Sequence, residues 1–209
     1  MLTRRRFFVL PLGLLALSAC SGKRKYAALP AGSTVLALGD SLTYGYGAAA
    51  GSGYPAQLAR LTGWKVVNGG VSGDTSAQAS ARLPALMRQH RPALVLAGIG
   101  GNDFLRKIPE AETRSNIGNI LQAVKADSVP VVLVAEPYLS LGALVGMPSD
   151  HPLYADLADR YDVPLLSDAW SDILGNKDLK SDQIHANAEG YRVFAEKMRD
   201  FLRELGFYR

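Results

Sequence analysis

Two segments near opposite ends of the chain carry the side chains that nucleophilic acyl chemistry requires. Residues 39–42 read Gly-Asp-Ser-Leu after a short apolar run, so Ser41 stands where a predicted strand ends and the backbone turns. Residues 182–185 read Asp-Gln-Ile-His, which places a carboxylate three residues before an imidazole. A serine hydroxyl becomes a good nucleophile when a base removes its proton and a third group orients that base. Ser41, His185 and Asp182 are therefore candidates for these three roles.

Two glycine-rich segments lie between them and are candidates for hydrogen-bond donors. Residues 68–75 read Asn-Gly-Gly-Val-Ser-Gly-Asp-Thr after the second apolar run, and residues 100–103 read Gly-Gly-Asn-Asp after the third. Glycine lets backbone N–H groups approach a ligand closely, and an asparagine side chain adds an NH₂ donor. Taken alone, each segment also fits a structural role, since Ser41 or Asp182 could simply cap a helix. The case for chemistry depends on their occurring together.

Short apolar runs alternate with amphipathic stretches along the rest of the chain. Uninterrupted runs of this length are typical of strands buried on both faces of a parallel sheet. The alternation predicts an α/β fold, a three-layer α/β/α sandwich around a parallel, flavodoxin-like five-stranded sheet. Such sheets place their sites at the carboxyl ends of the strands, where the candidate residues lie. The predicted strands are 34–38, 65–68, 93–99, 131–135 and 164–166, and the predicted helices are 55–61, 76–90, 113–125 and 187–205.

The four segments, in this order, resemble the SGNH hydrolases, also called GDSL esterases and lipases. That family is named for a serine, a glycine, an asparagine and a histidine, which correspond here to Ser41, Gly73, Asn102 and His185. The resemblance implies that Ser41 is the nucleophile, His185 its base and Asp182 the orienting carboxylate. It also implies an oxyanion hole formed by the backbone N–H groups of Ser41 and Gly73 with the Asn102 side chain.

The resemblance covers nearly all of the chain from residue 34 onwards and looks closest to the bacterial thioesterase I/lysophospholipase branch. One position departs from the family, because many members have proline after the histidine and this chain has Ala186. The His-x-Asn pattern that ends at Asn187 is intact, so we expect catalysis to be retained. The long matches to the branch lie at 72–76, 81–86 and 100–106.

The first twenty residues have the build of a bacterial export signal. Three arginines at 4–6 precede an apolar run over residues 7–19 that is too short to span a bilayer. Residues 17–20 read Leu-Ser-Ala-Cys and resemble the lipoprotein box, in which the cysteine, here Cys20, is lipidated and becomes the new amino terminus. We predict a lipid anchor on the periplasmic side of the inner or outer membrane, reached by the Sec or the twin-arginine route. The predicted organisation is a signal peptide with lipobox over 1–20, a tether over 21–32 and a hydrolase domain over 33–209.

Composition argues against several other classes of function. The 209-residue chain has a net charge of +4, of which the arginines at 4–6 carry three, so the remainder is near +1. It shows no basic stripe, so we expect no nucleic-acid partner. His151 and His185 lack the cysteines or carboxylate cluster of a metal site, so we expect no metal, and we expect no cofactor. Cys20 is the one cysteine, which excludes an intramolecular disulfide, and we expect a monomer.

The substrate is the property that the sequence predicts least well. Leu139 and Leu141 lie in an apolar loop after the fourth predicted strand, and Phe104 and Leu105 follow Asn102. If these side chains line an acyl-chain groove, the substrates are medium or long acyl esters or thioesters, of the arylesterase, lysophospholipase or thioesterase kind. Ordinary packing of the loop explains the leucines nearly as well. Two alternatives stay open: an O-acetylesterase of envelope carbohydrate or peptidoglycan, and a non-catalytic ligand-binding lipoprotein.

Overall fold

The chain folds around a five-stranded parallel sheet. A computed structural model describes residues 26–138 and 148–209. The strands are β1 (Thr34–Gly39), β2 (Lys65–Gly70), β3 (Leu94–Gly98), β4 (Val131–Val134) and β5 (Leu165–Leu166). All four neighbouring pairs are parallel. The strand order is β2-β1-β3-β4-β5, which is the flavodoxin-like order, so the predicted fold class is confirmed.

Helices cover both faces of this sheet and bury its apolar side chains. Along β1 the side chains alternate, so that Val35 and Ala37 join one core cluster and Leu36 and Leu38 join the other, all at 0% exposure. The longer helices are α2 (Tyr54–Thr62), α3 (Ser76–His90), α5 (Glu110–Ala126), α6 (Leu153–Tyr161), α7 (Ala169–Gly175) and α8 (Ala188–Leu205). Helices α2, α7 and α8 pack on the first face, and α3, α5 and α6 pack on the second.

Two very short helices follow strands at the carboxyl edge of the sheet. They are α1 (Ser41–Tyr44), after β1, and α4 (Gly101–Leu105), after β3. A 3₁₀ helix (Lys177–Leu179) and a loop precede α8. Pro137–Tyr138 and Ser149–Asp150 form a short antiparallel pair after β4. Because all of these segments belong to one edge, they bring the four sequence blocks together.

The described part of the predicted tether packs against the domain instead of extending from it. The Tyr26 ring stacks on Phe207 with the centroids 4.2 Å apart, and the Tyr26 N–H donates to the Leu205 carbonyl at 2.8 Å. Leu29 donates its N–H to the Phe207 carbonyl at 2.9 Å. An aromatic and an aliphatic side chain in this segment gain apolar contact by docking on the end of α8. Residues 1–25, with Cys20, lie outside the described residues, and within the described ranges we find no helix with the length and apolar character needed to cross a bilayer.

Candidate active site

Ser41 lies where β1 ends at the carboxyl edge of the sheet. Gly39 closes the strand, and a side chain at this position would collide with the backbone of Gly98 in the neighbouring strand β3. Asp40 then caps α1, because its Oδ1 accepts the Leu42 N–H at 3.0 Å. Ser41 is consequently the first residue of a helix that begins directly above the sheet.

A hydrogen-bonded chain of three side chains joins the two ends of the sequence. His185 Nε2 lies 3.0 Å from Ser41 Oγ, and His185 Nδ1 lies 2.8 Å from Asp182 Oδ2. Asp182 Oδ1 also accepts the backbone N–H groups of Ile184 at 2.9 Å and His185 at 2.8 Å. The loop before α8 therefore fixes the carboxylate and the imidazole together and presents the imidazole to the serine.

The charge on Asp182 determines how this chain can move a proton. Partial burial favours a higher pKa for Asp182, but the hydrogen bonds from the His185 ring and the Ile184 N–H outweigh it and lower the pKa below its usual value. The carboxylate is therefore ionised at neutral pH and can only accept a hydrogen bond. In a neutral imidazole the proton then sits on Nδ1, which leaves Nε2 free to accept the Ser41 hydroxyl proton.

Gly73 and Asn102 line the same cavity as Ser41 and His185. Gly73 follows β2 with a φ of +85°, a left-handed conformation that favours glycine. Its carbonyl accepts Arg106 Nη2 at 2.8 Å. The second and third blocks therefore contribute one backbone segment and one side-chain amide to the cavity that Ser41 lines.

The Asn102 amide is already hydrogen-bonded to the protein. Its Nδ2 donates to Asp40 Oδ2 at 3.1 Å and to the Asp74 carbonyl at 3.0 Å. An NH₂ group has two hydrogens, so an oxyanion bound by Asn102 must share or replace one of these acceptors. Asp74 itself does not cap α3, because the capping box there uses Thr75 and Gln78.

Two buried carboxyl groups lie beneath the serine. Asp40 is 2% exposed and Glu136 is 1% exposed, and both reach the cavity floor. Glu136 Oε2 accepts the Gly101 N–H at 2.5 Å, whereas its Oε1 has no hydrogen-bond partner among the described residues. Burial raises the pKa of Asp40 to about 7. Burial, together with the nearby charge of Asp40, raises the pKa of Glu136 well above its usual value.

Asp103 braces the helix that carries Asn102. It is fully buried and accepts hydrogen bonds from the Ser76 N–H at 2.8 Å, from the Ser76 hydroxyl and from Thr113 Oγ1 at 3.2 Å. These contacts join α4 to the first residue of α3 and to α5. The Asp103 carboxylate therefore has a structural role.

A cavity of about 720 Å³ opens beside Ser41 and His185. Leu105, one of the residues predicted to contact substrate, lines this cavity. Phe104 does not line it, because its ring turns away and stacks on His151 with centroids 4.2 Å apart. Leu139 and Leu141 lie outside the described residues.

Several cavity residues are absent from the sequence prediction. Tyr46 follows Ser41 by five positions, Glu136 follows β4, and Lys177 and Lys180 precede Asp182. Their only sequence signal is proximity to a block or to a strand end, which many residues share. The remaining apolar lining comes from Leu42, Pro137, Tyr138, Pro148, Leu174 and Ile184.

His151, one of the two histidines considered for a metal site, makes a hydrogen bond with the backbone. Its Nδ1 accepts the Leu153 N–H at 3.2 Å, at the start of α6. Across residues 26–138 and 148–209, no cluster of three or more His, Cys, Asp or Glu side chains is arranged to hold a metal ion.

Comparison with known proteins agrees with this geometry. Residues 37–193 match the model of the GDSL-like lipase/acylhydrolase family. The chain is 38% identical over 181 residues to thioesterase 1/protease 1/lysophospholipase L1 of Escherichia coli K12, covering 84% of this chain and 86% of that protein. It is 36% identical over 125 residues to the esterase TesA of Pseudomonas aeruginosa, covering 57% of this chain and 62% of the relative.

A solved structure extends the comparison to three dimensions. The psychrotrophic esterase EstA from Pseudoalteromonas sp. superposes with a TM-score of 0.70 at 25% identity, over 82% of this chain and 97% of that chain. The family match covers most of the chain, and the relatives and the solved neighbour are esterases. This protein is a carboxylic ester hydrolase and belongs to the GDSL-like lipase/acylhydrolase family, also known as the SGNH hydrolases.

Proposed function

We propose that this enzyme hydrolyses acyl esters or thioesters through an acyl-enzyme on Ser41. The observation that carries the proposal is the position of His185, with Nε2 3.0 Å from Ser41 Oγ and Nδ1 2.8 Å from Asp182 Oδ2. Both distances lie within hydrogen-bond reach of a nucleophile and its base.

The steps of the proposed reaction follow from where the protons of Ser41 and His185 lie. Ser41 Oγ attacks the acyl carbonyl while His185 Nε2 takes the hydroxyl proton, and the ionised Asp182 stabilises the resulting imidazolium. His185 returns the proton to the departing alcohol or thiol, which leaves the acyl group on Ser41. Water attacks this ester with His185 again as base, and the acid and the free serine are released.

The negative charge that develops on the carbonyl oxygen needs donors that are already in place. We assign this role to the backbone N–H groups of Ser41 and Gly73 and to the Asn102 amide, which border one cavity. Removing one donor of this kind typically lowers turnover by about 10²–10³-fold. The contacts of Asn102 with Asp40 and with the Asp74 carbonyl keep the amide beside the serine before substrate binds.

The cavity favours an acyl group larger than acetyl. Its volume of about 720 Å³ is in the range of sites that bind small organic ligands, and Leu105, Leu174 and Ile184 give it apolar walls. The names of the similar proteins include thioesterase, lysophospholipase and esterase activities. We therefore propose medium or long acyl esters or thioesters as the substrate class.

A Ser41→Ala variant tests the mechanism. We expect it to keep the folded structure, to lose turnover of nitrophenyl esters, and to lose labelling by a fluorophosphonate probe. On the wild type, kcat/KM should rise from acetate to octanoate esters, because longer chains bury more apolar surface. Normal turnover by the folded Ser41→Ala variant would refute the nucleophile. Strict preference for acetate would favour an O-acetylesterase.

We also propose that Cys20 is lipidated and anchors the enzyme on the periplasmic side of a bacterial membrane. The support is the arrangement of three arginines, an apolar run and the Leu-Ser-Ala-Cys sequence at 17–20. Multiple acyl chains give stable anchoring where a single chain does not. Metabolic labelling with palmitate should mark the wild type and leave a Cys20→Ala variant unmarked, and equal labelling of both would refute the anchor.

A further inference from the structure

Tyr46 is a cavity-lining side chain that the proposed chemistry does not use. It is 50% exposed, and its ring lies against the His185 imidazole with the centroids 4.4 Å apart and the planes at 42°. The Tyr46 hydroxyl makes no hydrogen bond with any described residue, so the side chain contributes through its ring. The contact therefore covers one face of the proposed base.

The backbone of Tyr46 is fixed by both catalytic blocks. Its N–H donates to the Ser41 carbonyl at 3.0 Å. Its carbonyl accepts the hydroxyl of Tyr191 at 2.6 Å, and Tyr191 is a fully buried residue of α8. The backbone that carries the Tyr46 ring is thus hydrogen-bonded on one side to the proposed nucleophile and on the other to the helix that follows the histidine loop.

Gly47 brings the same segment into close contact with the histidine loop. A side chain at Gly47 would collide with the Ser181 hydroxyl and the Ala186 carbonyl. Its φ of +87° is also one that glycine adopts readily. Residues 46–47 therefore lie directly between the serine turn and the loop that carries His185.

The imidazole needs a restraint that its hydrogen bonds do not provide. Asp182 and Ser41 contact the two ring nitrogens and so fix the direction that joins them. Two contacts in the plane of the ring leave the ring free to rotate about the line that joins its two nitrogens. A side chain packed on the face of the ring limits this tilt, and Tyr46 is placed to do so.

We infer that Tyr46 is a positioning residue that holds the His185 imidazole in line between Asp182 and Ser41. The inference rests on the proposed function, because it assigns Tyr46 to the orientation of the proposed base. Since His185 serves both acylation and deacylation, a tilted imidazole slows both steps. A misplacement of about 1 Å costs on the order of 10²-fold in rate.

The test compares Tyr46→Ala with Tyr46→Phe on an acetate ester, which has no long acyl chain to contact the tyrosine. We expect kcat of Tyr46→Ala to fall by about 10- to 100-fold with KM changed by less than about twofold. Fluorophosphonate labelling of Ser41 should slow by a similar factor. Tyr46→Phe keeps the ring and should recover most of the lost kcat.

Tyr44→Ala is the matched control. Tyr44 is 58% exposed and belongs to α1, but it does not line the cavity. Its replacement should leave kcat within about twofold of wild type, and thermal melting should show that all three variants are folded.

Three results would overturn the inference while leaving the proposed function intact. These are an unchanged kcat in folded Tyr46→Ala, a defect that appears only as a KM growing with acyl length, and a Tyr46→Phe variant as impaired as Tyr46→Ala. Absence of Ser41-dependent hydrolysis in the wild type would overturn the proposed function, and the inference with it.

Discussion

At the scale of single residues, Asp40 and Glu136 make the stability of the fold depend on pH. Burial raises the pKa of Asp40 from 3.8 to about 7, and burial with the charge of Asp40 raises the pKa of Glu136. The folded protein therefore holds these protons more tightly than the unfolded chain. The contribution of Asp40 to stability is complete below about pH 4 and is lost as the pH rises through about 7, and the contribution of Glu136 is lost in the same direction of pH change.

A Glu136→Gln variant should weaken this dependence. Glutamine keeps an oxygen for the Gly101 N–H and removes a carboxyl group that holds its proton more tightly in the folded protein than in the unfolded chain. Between about pH 5 and pH 8, we expect the variant to lose less free energy of unfolding than the wild type, by on the order of 1 kcal/mol. Urea unfolding at both pH values measures this, with the exposed Glu112→Gln as control. A pH slope like that of the wild type would show that folding does not raise the pKa of Glu136.

Residues of the candidate site differ in how far the sequence alone predicts them. Ser41, Gly73 and Asn102 belong to local motifs that follow strands, and His185 belongs to a motif in the loop before α8; all four motifs are visible without coordinates. Tyr46 and Glu136 acquire their roles only from tertiary contacts with segments far along the chain. No periodicity or spacing encodes the distance between the Tyr46 and His185 rings, so these neighbours require a structure.

At the scale of elements, periodicity predicts the strands and four of the longer helices, but it misses α6 and α7 as well as the two very short helices. All five strands appear where uninterrupted apolar runs occur, and α3 spans the predicted 76–90 despite the internal Pro84. Helices α1 and α4 have four and five residues, which is too short for helical spacing to be recognised or for a helix to be stable alone. Helix α1 is fixed at the sheet edge by the Asp40 side-chain cap, and α4 is fixed there by the buried contacts of Asp103.

Asp103 provides the test of that explanation for α4. An Asp103→Ala substitution would leave the buried donors of Ser76 and Thr113 without their acceptor. We expect a loss of about 2–4 kcal/mol in unfolding free energy, because a buried charged network loses one partner. Urea unfolding measures the loss, and Asp127→Ala, an exposed carboxylate at the end of α5, is the control. If both variants are equally stable, α4 does not depend on this brace.

At the scale of the whole molecule, the amino-terminal segment and the cavity lie at opposite ends of the domain. Tyr26 bonds to Leu205 at the end of α8, whereas His185 lies just before the start of that helix. The 18 residues of α8 span about 27 Å. Residues 21–25 connect Tyr26 to Cys20 and can reach at most about 20 Å when extended. The tether is therefore shorter than the helix. With the proposed anchor at Cys20, the opening of the cavity cannot lie against the membrane that holds the anchor.

The length of the tether should therefore decide which substrates the anchored enzyme reaches. We expect lipidated enzyme in vesicles to hydrolyse a soluble ester readily and an acyl ester embedded in the same vesicles slowly. Inserting about 20 Gly/Ser residues after Lys25 adds roughly 25 Å of average reach, because flexible chains extend as the square root of their length. The insertion should raise turnover of the embedded ester by about tenfold, because the added reach lets the opening of the cavity contact the bilayer. Turnover of the soluble ester should be unchanged.

The control is the same insertion in Cys20→Ala, which lacks the anchor and should show no change in turnover of either substrate. Equal turnover of the embedded ester by the short and the long tether would contradict this orientation.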